Sequence, residues 1–211
     1  MTADPVHVPF PPDLCEARFV ERPNRFLLRC GIPGADDPVE VHMADPGRLT
    51  ELLLPGRRIW LRPAASPTRR TAWSAVLVES PDGSGLVSVD TTMPNRLIHR
   101  ALEAGALDEL AGWTLERREW TLGGSRIDFL LSRGEDRLAL EVKSVTLVED
   151  GVARFPDAVT ARGARHVREL VEVAARPGWE AAILFVLQRP DAHRIEAARA
   201  IDPVFADALA V

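Results

Sequence analysis

From residue 93 onward the apolar pattern runs in one order: a helix, three strands, a helix and a strand. Leu97, Ile98, Ala101, Leu102 and Ala106 recur at helical spacing between Arg96 and about Leu110, behind a start at Pro94-Asn95. Trp113–Leu122, Arg126–Leu131 and Leu138–Val145 then read as strands, with Gly134 in the turn between the last two. A long helix is predicted from about Thr160 to Ala175, stopping before Pro177-Gly178. Ala181–Leu187 is almost wholly apolar, the pattern of a strand covered on both faces. This order predicts an α/β domain over residues 93–211 with a mixed central sheet.

Residues 1–92 have a different texture. Ala17–Val20, Arg25–Cys30, Val39–Met43, Arg58–Leu61, Ala72–Glu79 and Leu86–Val89 read as short strands separated by Pro/Gly/Asn/Asp turns. Pro46-Gly47 opens a short apolar helix or turn through Leu54. So many short strands in that length predict a small OB-like β-barrel. The whole chain is therefore read as an α/β (α+β) two-domain protein. No apolar run reaches the length of a membrane span, and the start Met1-Thr2-Ala3-Asp4-Pro5 lacks a signal-peptide pattern. The reading is cytoplasmic, with no membrane partner and with Cys15 and Cys30 as reduced thiols.

Charge is uneven. The net charge of −5 runs against a dedicated nucleic-acid binder. Yet Arg57, Arg58, Arg62, Arg69 and Arg70 fall within fourteen residues that contain no acid, either a solvated edge or a surface for phosphates. Among 26 lysines and arginines there is a single lysine, Lys143. A compact, rotatable ammonium differs chemically from a planar guanidinium, so its position points to a task arginine does not perform.

That lysine sits in Leu138-Ala139-Leu140-Glu141-Val142-Lys143-Ser144-Val145. Strand alternation puts Glu141 and Lys143 on one face of an apolar strand. The strand before it places Asp128 among apolar neighbours, and an antiparallel hairpin could bring Asp128 near Glu141. Buried acids and lysines are rare unless paired or functional. Two carboxylates at neighbouring strand positions offer hard oxygen ligands to Mg2+ or Mn2+. A lysine alongside can orient a water and stabilise charge developing on phosphorus. An Asp followed thirteen residues later by Glu-x-Lys is the PD-(D/E)XK nuclease pattern; a salt-bridged cluster on a sheet edge is the structural alternative.

Three blocks go further: Ser125–Phe129, Glu141–Leu147 and Phe155–His166. Together with Arg22–Leu27, His42–Leu49 and Asn95–Leu97, they resemble the sugar fermentation stimulation protein A family over most of the chain. The resemblance departs at Met43-Ala44-Asp45-Pro46-Gly47-Arg48, where many members carry Cys or Pro followed by Asn-Thr-Gly. Members also continue past the point matching Val211 through a further helix and strand, so a sheet edge is expected to be open or covered by a partner chain.

The resemblance implies an N-terminal OB-like domain, a C-terminal PD-(D/E)XK nuclease-like domain, and DNA binding linked to sugar-utilisation genes. Matched to the nuclease pattern, Asp128, Glu141 and the Val142 backbone carbonyl become ligands for Mg2+ or Mn2+, and Lys143 the catalytic lysine. The expected nucleic-acid contacts are Arg25, Arg57, Arg58, Arg69, Arg70, Arg96, Arg126, Arg162 and His166, with Asp157 and Ser144 as further site candidates. Asp157 is expected near the N-terminus of the second long helix, and Gly163 within it suggests that a backbone or a phosphate needs the room. The expected function is a DNA-binding protein with a metal-dependent nuclease-type site, RNA being the secondary candidate partner. The alternative is a DNA-binding transcriptional regulator that does not cleave. A homodimer is left open.

Overall fold

A computed structural model describes residues 5–66, 68–122 and 124–210. In the first half the alternation closes a barrel. Strands β1 (Cys15–Asn24), β2 (Leu27–Gly31) and β3 (Val39–His42) form an antiparallel meander; β4 (Arg58–Pro63) pairs with β1 and with β5 (Trp73–Glu79). A parallel pairing of β3 with β5, at Val41–Trp73 and His42–Ser74, completes the circuit. Strand β6 (Leu86–Ser88) extends β5 outside the ring. Closure removes the free edges a small sheet would otherwise expose.

Inward-facing residues fill the barrel: Ala17 and Phe19 of β1, Leu28 and Cys30 of β2, Ile59 and Leu61 of β4, all buried. Burial pushes the Cys30 thiol up to about 12, so it is a packing residue rather than a reactive one. The segment from Pro46 to Leu54 is a turn, not a helix, and Leu49 and Leu52 plug one end of the barrel. Arg22 explains how a turn can sit there. Its guanidinium donates to the carbonyls of Arg25 (2.7 Å), Asp45 (3.1 Å), Gly47 (2.7 Å) and Arg48 (2.8 Å), so one side chain satisfies four backbone acceptors.

The second half begins with α1 (Met93–Glu103). It is shorter than predicted because Gly105, at φ 62, takes the left-handed conformation that ends helices; a single 3-10 turn covers Asp108–Leu110. Strands β7 (Thr114–Leu122), β8 (Ser125–Arg133) and β9 (Asp136–Val145) form the expected antiparallel meander. Sequence analysis did not separate three short strands, β10 (Val148–Glu149), β11 (Val152–Phe155) and, later, β13 (Arg194–Ala197), which make a small sheet with β11 parallel to β13. Helix α2 (Ala161–Ala174) crosses back, and β12 (Trp179–Leu187) pairs parallel to β9, aligning Ile183 with Glu141 and Phe185 with Lys143.

The main sheet order is β12-β9-β8-β7. One face packs on α1 through Ile98, Phe129, Leu131 and Leu140; the other packs on α2 through Ile127, Ala139, Leu170 and Val173. Strand β12 is half-buried along its apolar length rather than fully covered, and among the described residues it pairs only with β9. Helix α3 (Pro203–Leu209) was also missed. Its cap, Asp202, accepts from Phe205 N (2.9 Å) and from Thr160 N (2.7 Å), so one carboxylate closes α3 and fastens the entry to α2.

No helix of the described residues is long and apolar enough to cross a membrane.

Candidate active site

Strand β8 changes face at Asp128. Ile127 packs toward α2, whereas Phe129 packs toward α1, and the β8–β9 ladder ends at the Phe129–Leu140 pair. Beyond that pair a side chain takes over from the backbone. Asp128 Oδ2 accepts the Val142 N–H at 2.8 Å, and Oδ1 accepts from Asn95 Nδ2 at 2.7 Å. Within a strand the N–H and C=O of one residue face the same edge. The Val142 carbonyl therefore faces Asp128, at the point where the two strands part.

Glu141 is 4% exposed and reads out from the other side of the same opening. Its Oε1 accepts from Lys143 Nζ at 2.5 Å and from His166 Nδ1 at 2.8 Å. Arg162 Nε lies 3.3 Å from the other ring nitrogen of His166. A guanidinium has no lone pair to offer, so His166 Nε2 must accept and Nδ1 must carry the proton. The ring is thus locked in one tautomer that donates to Glu141. Glu141 Oε2, by contrast, is buried without any hydrogen-bond partner. A carboxylate oxygen left that way costs about 1–3 kcal/mol or more unless something else engages it.

Burial and then the Glu141 charge raise the Asp128 carboxyl above its ordinary value, against the pull of Val142 N–H, Asn95 and Lys143. Lys143 is mostly buried, with 15% of its side chain exposed. Two acids and one ammonium therefore converge in a poorly solvated opening. Among the described residues no group of three or more His, Cys, Asp or Glu side chains is arranged to hold a metal ion by itself. The donors on offer are carboxylate and carbonyl oxygens, a set suited to Mg2+, Mn2+ or Ca2+ rather than to zinc.

The other expected site residues are placed as follows. His166, expected to touch nucleic acid, is instead 2% exposed and bound to Glu141. Its neighbours in α2 explain this: Gly163, Ala164, Val167, Leu170 and Val173 are all buried, so His166 lies on the packed face. Gly163 makes room for its own helix cap and a neighbour. An added Cβ would lie 2.7 Å from Thr160 Cγ2, 2.9 Å from Thr160 Oγ1 and 3.3 Å from Phe205. Asp157 does not cap α2, since Thr160 does, accepting from Gly163 N at 2.9 Å. Asp157 meets the other domain, its carboxylate resting on Gly47 beside Asp45. Ser144 lines a depression with Arg25 and Asp157, at the seam between the barrel and the sheet domain.

The arginine cluster divides. Arg58 faces Glu79 across the β4–β5 ladder and is held at 2.6 and 3.0 Å, and Arg57 reaches the Glu79 carbonyl at 3.4 Å. The acids absent from the local sequence are supplied by neighbouring strands. Arg69 and Arg70 lie at the far end, exposed, in a separate cleft. Arg25, Arg96, Arg126 and Arg162 are exposed, with Arg126 beside Glu119 at 3.6 Å. Asn95 is the contact that sequence analysis left without a role; nothing local shows that the first turn of α1 abuts β8.

Residues 20–89 match the family model described as SfsA N-terminal OB domain, and residues 92–211 match that described as Sugar fermentation stimulation protein RE domain. The chain belongs to the sugar fermentation stimulation protein family. A homologue from Shouchella clausii is 48% identical over 94% of this chain and 85% of its own length. One from Moorella thermoacetica is 44% identical over 96% and 86%. The structure is similar to that of Pyrococcus furiosus SfsA in complex with Ca2+, with a TM-score of 0.86, 29% identity, and coverage of 99% of this chain and 86% of that one. Family membership agrees with the barrel and the mixed-sheet domain described above.

Proposed function

We propose that this protein hydrolyses phosphodiester bonds in nucleic acid at a divalent-cation site formed by Asp128, Glu141 and the Val142 carbonyl, with Lys143 as the catalytic ammonium. The observation that carries the reading is the division of labour within Glu141. One oxygen is saturated by Lys143 and His166; the other is buried and unpartnered beside a second carboxylate whose proton affinity is raised. A cation would satisfy that oxygen and offset the repulsion between the acids. The related Pyrococcus furiosus protein was solved with Ca2+, which also takes oxygen ligands.

A divalent cation held here supplies Lewis acidity and lowers the pKa of a water. The chain's own groups do the rest. Asn95 and the Val142 N–H hold Asp128 in one orientation, and His166 and Lys143 hold Glu141. Lys143 keeps a cation near the position where a phosphoryl oxygen gains charge, in an opening too dry to screen it well. The family's name, with its word stimulation, favours a second reading, a regulator, which we would take to bind nucleic acid without cleaving it.

The test has two parts. Mn2+ should raise the melting temperature of the wild type with concentration, and Asp128→Asn should remove that rise while leaving a folded protein. A mixed panel of DNA and RNA should be cleaved only with Mg2+ or Mn2+. An unchanged metal response in Asp128→Asn places the cation elsewhere, and no cleavage of any substrate favours the regulator.

A further inference from the structure

A second concavity, on the barrel, has a volume of about 580 Å3, within the range of ligand pockets. It is lined by the β1–β2 turn, which carries Phe26, and by the segment between β4 and β5, which carries Arg69 and Arg70. Phe26 is 51% exposed and is the only aromatic among the large apolar side chains that face solvent in the described residues. Its position is fixed all the same. Phe26 N donates to Asn24 Oδ1 at 3.0 Å, and its carbonyl accepts from Met43 N at 3.0 Å. An aromatic face on a pinned backbone, outside every core cluster, is a platform rather than packing.

The cleft is also cationic. Its carboxylate, Asp90, is already occupied by Arg62 at 3.0 Å and by the Thr92 N–H and hydroxyl at 3.0 and 2.7 Å. Arg69 is oriented by Ser74 at 3.0 Å, and Arg70 makes no side-chain hydrogen bond or ion pair among the described residues. An exposed aromatic ring and guanidiniums lining one cleft match a nucleobase with its flanking phosphates.

We propose that this cleft binds single-stranded nucleic acid, with one base stacked on Phe26 and the adjoining phosphates held by Arg69 and Arg70. The proposal rests on nucleic acid being the substrate, and it names the form: a single strand. In a duplex both faces of each base are covered by neighbours, so a ring platform has nothing to stack on. The cleft also continues into the seam between the barrel and the sheet domain. Asn24 is shared with an adjoining depression, which shares Arg25, Pro46 and Gly47 with another that reaches Ser144, next in the chain to Lys143.

The experiment measures binding without cleavage. Anisotropy of labelled oligothymidylate and of a duplex of equal length is recorded with the full chain in EDTA. The single strand should bind more tightly than the duplex. Phe26→Ala should weaken single-strand binding by roughly five- to a hundred-and-fifty-fold, the range of one lost base–aromatic stack. Phe26→Trp should keep it, and Arg70→Ala should reduce the salt slope by about 0.7. Equal affinity for strand and duplex, or unchanged strand binding by Phe26→Ala with its melting temperature retained, would overturn the proposal. Because the assay needs no metal, either result stands whether or not the protein cleaves.

Discussion

His166 Nδ1 lies 2.8 Å from Glu141 Oε1, and the residue is only 2% exposed. A buried donor aimed at a carboxylate fixes which oxygen is free for a cation. Groups that orient metal ligands in this way typically contribute ten- to a hundred-fold in affinity. His166→Ala is therefore expected to weaken Mn2+ binding by about that factor, measured by titration calorimetry. His166→Asn, whose amide can donate from near the Nδ1 position, is expected to recover most of it. Equal affinity in all three proteins would leave His166 as packing alone.

Asp128 gives a pH dependence with a definite sign. Its carboxyl is raised by burial and by Glu141, so the folded state holds the proton more tightly than the unfolded chain does. Ionised Asp128 thus opposes folding: its destabilising contribution is absent below the ordinary carboxylate range and grows as pH rises to the raised value. A cation that neutralises it should act in the opposite sense. The melting-temperature gain from Mn2+ is expected to increase as pH rises out of the carboxylate range, and Asp128→Asn should flatten that increase. A gain independent of pH in the wild type would show that Asp128 is not the group engaged.

Gly163→Ala tests how α2 is seated. Alanine favours a helix by up to about 1 kcal/mol over glycine. Here its Cβ would crowd Thr160, whose hydroxyl caps the helix, and Phe205, which anchors α3. Overpacking costs about 1–3 kcal/mol and a lost cap about 1 kcal/mol, so a net destabilisation of about 1–3 kcal/mol is expected. Urea denaturation decides it, and a stabilised variant would contradict the packing argument.

The elements legible in the sequence were those with local signals. The β8–β9 hairpin shows alternation and Gly134; α2 shows an apolar stripe and ends before Pro177-Gly178. Strands β11 and β13, of four residues each, pair in parallel across the whole of α2 and β12, and no local pattern announces such a pairing. The same limit applies to the site. Asp128, Glu141 and Lys143 stood out as charges among apolar neighbours, whereas the Asn95 partner depends on how α1 docks. The position of His166 was available: its spacing from Gly163, Leu170 and Val173 puts it on the apolar face.

The split of the arginines also depended on register. Because Ile59 pairs with Val78, Arg58 meets Glu79, which no count of acids along the chain reveals. Replacing Arg57 and Arg58 together by alanine is expected to leave single-strand affinity and its salt slope unchanged. Replacing Arg69 and Arg70 should lower both. The reverse pattern would move the nucleic-acid surface to the opposite end of β4.

The central claim is that Lys143 serves chemistry rather than charge alone. Cleavage by the wild type and by Lys143→Arg, in Mg2+ or Mn2+ on the same nucleic acid, tests it most directly. A planar guanidinium keeps the charge but cannot occupy the position of the ammonium beside Glu141. The expected result is metal-dependent cleavage by the wild type and a loss on the order of a hundredfold or more in Lys143→Arg, the scale of one preorganised electrostatic contact, with Mn2+ affinity retained. Cleavage by Lys143→Arg at the wild-type rate, or none by the wild type on any nucleic acid, would contradict it.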